Sequence, residues 1–252
     1  MRRGFQAEAE RLATEIRQEL GLGVDDRFEP PQLALAYGVP VVPITDLVDQ
    51  GADESAVWQL TITDRGCFSA ATVFIGTSRL IVYNPSHSDR RLANSLAHEL
   101  SHLLLEHEPG PALGPGGCRT WDGEVEAEAD ALAGMLLISR EAALACARVG
   151  LPHAVGAARF GVSTELMRWR TDHSGASRQA AAEARRAGRP PVARTAGVLR
   201  VPPPAEMAWL GDLSSLHWRL VLRRCGAAVA GGATELHSVL SADPRVASTQ
   251  PA

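Results

Sequence analysis

The chain has 252 residues, 45% hydrophobic and 21% charged, a mixture that excludes a wholly disordered polypeptide and suits one ordinary domain with extensions, or two small ones. Its formal net charge is −4, so no overall basic field draws it to nucleic acid or to anionic lipid. All 25 basic residues are arginine, which with the abundant Gly and Pro reads as a GC-rich coding bias rather than a functional signal.

In chain order, Phe5, Ala9, Leu12, Ala13, Ile16 and Leu20 fall on one face of an amphipathic helix, closed by Gly21 and Gly23. Glu8, Glu10, Arg11 and Glu15 interrupt the apolar run that a secretory leader needs, and no stretch approaches the ~20 apolar residues of a membrane span. Cys67, Cys118, Cys146 and Cys225 are scattered without CxxC spacing. The expectation is therefore a cytoplasmic protein with reduced thiols.

Pro30 and Pro31 open a short helix that Gly38 ends. Val39–Ile44, punctuated by two prolines, reads as an edge strand, and residues 45–55 as an acidic loop. Val57–Thr63, Cys67–Ile75 and Arg79–Tyr83 read as strands separated by Asp64-Arg65-Gly66 and Gly76-Thr77-Ser78 turns. After Asn84-Pro85-Ser86, either Ser86 or Ser88 caps a long helix that runs to about His107 with Leu92, Leu96, Leu100, Leu103 and Leu104 as its apolar stripe. Residues 108–123 form a Gly/Pro loop, and a further helix covers about Glu124 to Ile138. Helical pieces follow at 140–149, 152–160, 163–170 and 176–186. From Ala187 the composition turns to that of a linker, followed by one apolar segment, Met207–Leu222. In that segment Trp209, Leu213, Leu216 and Leu220 could form one face of a docking helix, against the plainer reading of weakly ordered packing.

The chemistry concentrates in His98-Glu99-Leu100-Ser101-His102, an H-E-x-x-H pattern on an expected helix. Residues four apart lie one turn apart on the same face, so His98 and His102 can aim two imidazoles at one ion, while the offset Glu99 can reach a water on that ion. A third ligand is needed. Leu105 and Glu108 occupy the glycine and histidine positions of a metzincin, which excludes that class. His107, five residues past His102, is read as an exposed histidine at the helix end. Glu126 is the strongest candidate, because Asp130 one turn later shares its face and can accept the second ring N–H of His98, fixing its tautomer. Glu124 and Glu128 compete, but at roughly 100° per residue Glu128 lies about 200° around the helix from Glu126 and cannot share its direction; its side is read as packed or solvated. Tyr83, Arg168, Arg170 and His173 are candidate oxyanion donors. Zinc is the expected metal, although such a donor set also accepts Mn²⁺ or Fe²⁺.

The run from Glu126 to Ile138 (EAEADALAGMLLI) resembles the E-x-E-A-(N/D)-x-F-A-x-x-L-L-M motif of the ImmA/IrrE family of zinc metallo-endopeptidases, and Arg91–His102 (RLANSLAHELSH) is similar to that family's R-x-x-x-x-x-A-H-E-x-x-H helix. The resemblance covers about residues 30–175, with its specific motifs in 79–138. Leu132 replaces the usual Phe, and Ile138-Ser139 replaces Met-Pro; neither position is a ligand. The resemblance implies a gluzincin-like core, a zinc ion, and endopeptidase activity on helix-turn-helix repressors in stress or mobile-element responses.

The expected fold class is α+β: a zincin-like metalloprotease domain with a small, mostly antiparallel sheet, an active-site helix, a third-ligand helix and a helical C-terminal subdomain. The expected division is an N-terminal helical and edge-strand segment (1–50), a zinc metallopeptidase core (51–150), a helical subdomain (151–186), and a linker with a poorly ordered tail (187–252). The 157–170 stretch resembles a helix-turn-helix, but Glu165 and Asp172 offset Arg159, Arg168 and Arg170, so no dense basic face favours DNA. Cys118 could approach the metal as an inhibitory thiolate, or be incidental. His87, His153, His217 and His237 are read as surface or packing residues. The leading function is a zinc endopeptidase with a protein substrate; the alternative is a non-proteolytic, zinc-stabilised regulator that binds a repressor or DNA.

Overall fold

The computed structural model describes residues 1–75, 78–107 and 122–188. The expectations for the 108–121 loop with Cys118, and for the linker, the Met207–Leu222 segment, His217, Cys225 and His237, lie outside these residues. Among the described residues no helix is long and apolar enough to cross a membrane.

The architecture is α+β. Helix α1 (Phe5–Glu19) buries Phe5, Ala9, Ala13 and Ile16, the stripe read from the sequence, and ends where Gly21 takes a φ of 69°. Helix α2 is Pro30–Ala36. Strand β1 (Val41–Pro43) is followed by a 3₁₀ helix over Ile44–Gln50, in place of the expected loop. Strands β2 (Ala70–Ile75) and β3 (Ser78–Tyr83) complete a three-stranded sheet of order β1-β3-β2. Its β2–β3 pair is antiparallel, but β1 joins β3 in parallel, so the sheet is mixed rather than mostly antiparallel.

A second correction concerns Val57–Thr63, which is helical: α3 spans Glu54–Trp58 and a π-helical turn spans Gln59–Thr63. Val57 and Leu60 are buried at helical spacing, while Trp58 (61% exposed) and Ile62 face outward. Asp53 caps the first turn by accepting from the N–H groups of Ser55 and Ala56. These residues cover one sheet face, where Val57, Leu60 and Ile44 meet Val82. Ile81 and Tyr83 point the other way, into the main helical core. Because β1 and β2 pair with its two sides, β3 is the central strand. Among the described residues the edges are β1 and β2, so Arg79–Tyr83 is not an edge strand open to pairing with a substrate.

Helix α4 (Asp89–Leu104) buries Leu92, Leu96 and Leu100; its neighbour α5 (Gly123–Leu137) is capped by the Asp122 carboxylate, which accepts from the N–H groups of Glu124 and Val125. Alanines on the facing sides, Ala93 and Ala97 on α4 with Ala129 and Ala133 on α5, are buried. Their small side chains suit a close approach of the two backbones. Helices α6 (Arg140–Arg148), α7 (His153–Phe160), α8 (Thr164–His173) and α9 (Ala176–Arg186) follow the expected pieces closely. Gly134 of α5 has no alternative: a Cβ there would stand 2.8 Å from the Trp169 ring of α8.

One core cluster runs from Phe5 to Ala176. Two buried arginines tie its ends together. Arg17 donates to the carbonyls of Leu136, Gly23 and Asp26. Arg170, 1% exposed, donates to Ile138 O and makes a two-pronged pair with Glu10 at 2.7 Å on each arm. Arg170→Met leaves a partly buried carboxylate and a carbonyl without their donor, and is expected to cost about 3 kcal/mol of folding stability in urea titration. A loss below about 1 kcal/mol would show that solvent already satisfies Glu10.

Candidate metal centre

Helix α4 places His98 and His102 on its side toward α5, and the first turn of α5 brings Glu126 to them. The three offer ligand atoms that all lie within 4.8 Å of one another. The Nε2 atoms of His98 and His102 are 3.0 Å apart, and Glu126 Oε2 stands 3.2 Å from the first and 3.7 Å from the second. Three donors at 2.0–2.1 Å from one tetrahedral ion stand about 3.3 Å apart, and the observed triangle brackets that value. Two nitrogens and one carboxylate, with nothing softer in the set, fit a divalent cation of the zinc type.

Around the triangle each group is held. Asp130 Oδ1 lies 2.8 Å from His98 Nδ1, where it accepts that ring's N–H and leaves the Nε2 lone pair to the triangle. Glu99 does not join the triangle. Its Oε2 accepts from both the backbone N–H and the hydroxyl of Thr72 on β2, each at 2.8 Å. Sequence reasoning missed Thr72, because nothing in local spacing joins residues 27 positions apart.

Thr72 also sits on β2, an edge of the sheet among the described residues. Its register partner, Ile81, gives its N–H to Pro40 O beside β1, so Thr72↔Ile81 is not a hydrogen-bonded pair of the β2–β3 ladder. By the same alternation the backbone polar groups of Ala70, Thr72 and Phe74 point away from β3.

His107 is not where the sequence reading put it, while Glu128 lies outside the triangle on a packed side, one of the two readings given for it. His107 is not an exposed helix-end residue: its Nδ1 lies 2.9 Å from Nδ1 of His102. Glu128 is 8% exposed, accepts the Arg2 backbone N–H at 3.0 Å, and faces His107 Nε2 at 3.8 Å. The error lay in extending the helix rule of 100° per residue past its end. After Leu104 the chain reverses through Glu106, whose φ is 53°, with Glu106 N–H bonded to Leu103 O and His107 N–H to His102 O. This is the Schellman pattern, with glutamate where glycine is usual, and it folds the His107 ring back onto His102.

Of the candidate oxyanion donors, Arg170 is turned into the core and engaged by Glu10. Tyr83 is buried on β3, where burial and then the Asp46 charge raise its pKa. Arg168 is exposed on α8. His173 stacks on Trp169 and lines a cleft of about 920 Å³ between α4, α5 and α8, which Asp130 and Asn94 also line.

The electrostatics follow from crowding. Burial opposes a charge on His98, but the hydrogen bond and charge of Asp130, with Glu99 and Glu126 beyond, outweigh it and raise the pKa. Burial and the neighbouring His98 push His102 down to about 4. Burial also lowers His107, against the pull of Glu128.

Residues 59–172, which contain β2, β3, both site helices and α6 to α8, match the family model Peptidase_M78, described as the IrrE N-terminal-like domain. No curated protein and no solved structure matches the chain. Residues 59–172 therefore carry an IrrE N-terminal-like metallopeptidase domain, the resemblance that the motifs on the two site helices led us to expect.

Proposed function

We propose that the protein is a zinc-dependent endopeptidase that hydrolyses a peptide bond in a specific protein, of the helix-turn-helix repressor kind. The observation that carries this reading is the convergence of His98, His102 and Glu126 beside a carboxylate, Glu99, that is held separately by the sheet. His98, His102 and Glu126 would hold the ion, which when bound supplies Lewis acidity toward a carbonyl and an acidified water.

The remaining work falls to the protein. Glu99 takes the proton from the attacking water and returns it to the leaving amine. Thr72 anchors Oε2, which leaves Oε1 as the basic oxygen. Asp130 keeps His98 in the tautomer whose Nε2 is bare. An extended substrate adds by strand pairing to the outer edge of β2, which has no strand partner among the described residues, with the Thr72 N–H kept by Glu99. Thr72 belongs both to that edge and to the Glu99 clamp, so a strand added there passes beside the base.

The test incubates the purified chain with the repressor encoded beside it, with and without chelator. Discrete fragments that appear only with zinc are expected; intact masses in a stable complex would support the regulatory alternative and overturn the enzyme. Metal analysis of the same preparation separates Zn²⁺ from Mn²⁺ and Fe²⁺.

Thr72→Val keeps the backbone donor and deletes the hydroxyl. A hydrogen bond to a charged group is worth about 1.5–3 kcal/mol, part of which the N–H retains. The cleavage rate is expected to fall about tenfold with metal content unchanged. An unaltered rate would remove the hydroxyl from the mechanism.

A further inference from the structure

We infer that His107, with Glu128 behind it, is the positioning residue for His102, doing for that ring what Asp130 does for His98. The inference rests on the metal-site reading above, and concerns how the second imidazole is held.

The argument is one of proton placement. Two imidazole Nδ1 atoms stand 2.9 Å apart, so one carries the hydrogen and the other accepts it. Suppose His102 carried its proton on Nε2. That N–H would point into the donor triangle, 3.0 Å from His98 Nε2, and would block His102 as a ligand. His107 would then have to donate from Nδ1 and present a bare Nε2 to the Glu128 carboxylate 3.8 Å away, lone pair against negative charge.

The opposite arrangement satisfies every group outside the triangle and leaves the three donors within it bare for a cation. Glu128 favours the proton on His107 Nε2, which leaves His107 Nδ1 bare. His107 Nδ1 accepts the Nδ1–H of His102, and His102 Nε2 is left bare toward Glu126 and His98. The support is fixed rather than floating. Both the His107 and the Glu128 side chains are 11% exposed, and Glu128 Oε1 is pinned by the Arg2 backbone N–H. The His107 ring is set over His102 by the chain reversal at Glu106.

A residue that only filled space would show none of this directionality, and that gives the test. Zinc affinity of the full chain is measured by chelator competition at neutral pH for wild type, His107→Leu, His107→Asn and Glu126→Ala, with thermal unfolding of each metal-free protein alongside. Leucine keeps bulk without an acceptor, whereas the asparagine side-chain oxygen can stand near the place of Nδ1. His107→Leu is expected to bind about 10–100-fold more weakly, and His107→Asn within a few fold of wild type. Nitrogen-15 spectra of the metal-free wild-type protein are expected to show His102 protonated at Nδ1.

Wild-type affinity in His107→Leu, equal losses in the Leu and Asn variants, or an Nε2–H tautomer of His102 would each overturn the inference while leaving the ligand set intact. If Glu126→Ala binds zinc as tightly as wild type, the ligand reading itself fails and takes the inference with it. The spectra need no substitution, so they decide even where a variant folds poorly.

Discussion

Glu99→Gln is expected to abolish cleavage while the protein keeps its full complement of metal. The substitution is nearly isosteric, and the amide oxygen can still accept from the N–H and hydroxyl of Thr72, so the clamp survives. What disappears is basicity. General acid–base catalysis contributes about 10²–10⁴-fold, and Glu99 is asked to serve twice, toward the water and toward the leaving amine, so the upper part of that range is expected. Single-turnover cleavage rates and metal stoichiometry on one preparation check it. A variant that retains a tenth of the wild-type rate, or that loses its metal, would remove Glu99 from the role of base; metal loss would make it a ligand instead.

The second large effect is expected on metal affinity. Four-coordinate structural zinc is bound with about 10–16 kcal/mol, or roughly 3 kcal/mol per ligand, so Glu126→Ala should weaken binding by about 10²–10³-fold. Asp130→Ala, which touches only the far nitrogen of His98, should cost about 10–100-fold. The pH dependence separates ligand from bystander in the same measurement. Imidazole binds metal only when neutral, so a site histidine supports full affinity above its pKa in the metal-free protein, and affinity is lost as pH falls through that value. For His98 that value is raised above the ordinary 6.5 by Asp130 and the neighbouring carboxylates, in spite of burial. For His102 it is lowered to about 4, because burial and an already protonated His98 with its nitrogen 3.0 Å away oppose a second charge. Affinity should therefore fall about tenfold per pH unit below the His98 transition, one proton at a time, and more steeply only near pH 4. A two-proton slope already at pH 6 would mean that burial and the charge of His98 do not hold His102 neutral there, whereas no loss of affinity through the His98 transition would remove His98 from the ligand set.

The local pattern of the chain was legible where one face of one helix carries the information. Phe5, Ala9, Ala13 and Ile16 mark α1, the leucines of α4 mark its buried side, and His98 and His102 share a face for the same reason of spacing. The proline start of α2 and the Asp122 cap of α5 belong to the same class of signal, since a missing or satisfied N–H is a property of a few consecutive residues.

The sheet was read less well. Val57–Thr63 is rich in β-branched residues, yet it is helical because Val57 and Leu60 must both reach the face of β3 that carries Val82. Burial at a spacing of three overrode β propensity. Whether β3 lies at an edge or in the centre depends on which strand β1 joins, and the register partners Val41 and Ile81 are 40 positions apart.

 No local pattern bridges the stretch from Pro43, which closes β1, to Ser78, which opens β3.

Residue types and short spacings therefore specified the helices, the paired imidazoles and the acid one helix away, because each depends on the geometry of a single regular element. The Thr72 clamp on Glu99, the packing of His107 and Glu128 behind His102, and the edge position of β2 among the described residues arise from contacts between elements and from a chain reversal at a left-handed Glu106. Helical periodicity stops at the helix end, and strand order is set by pairing between segments distant in the chain, so these features exist only once the elements are packed together.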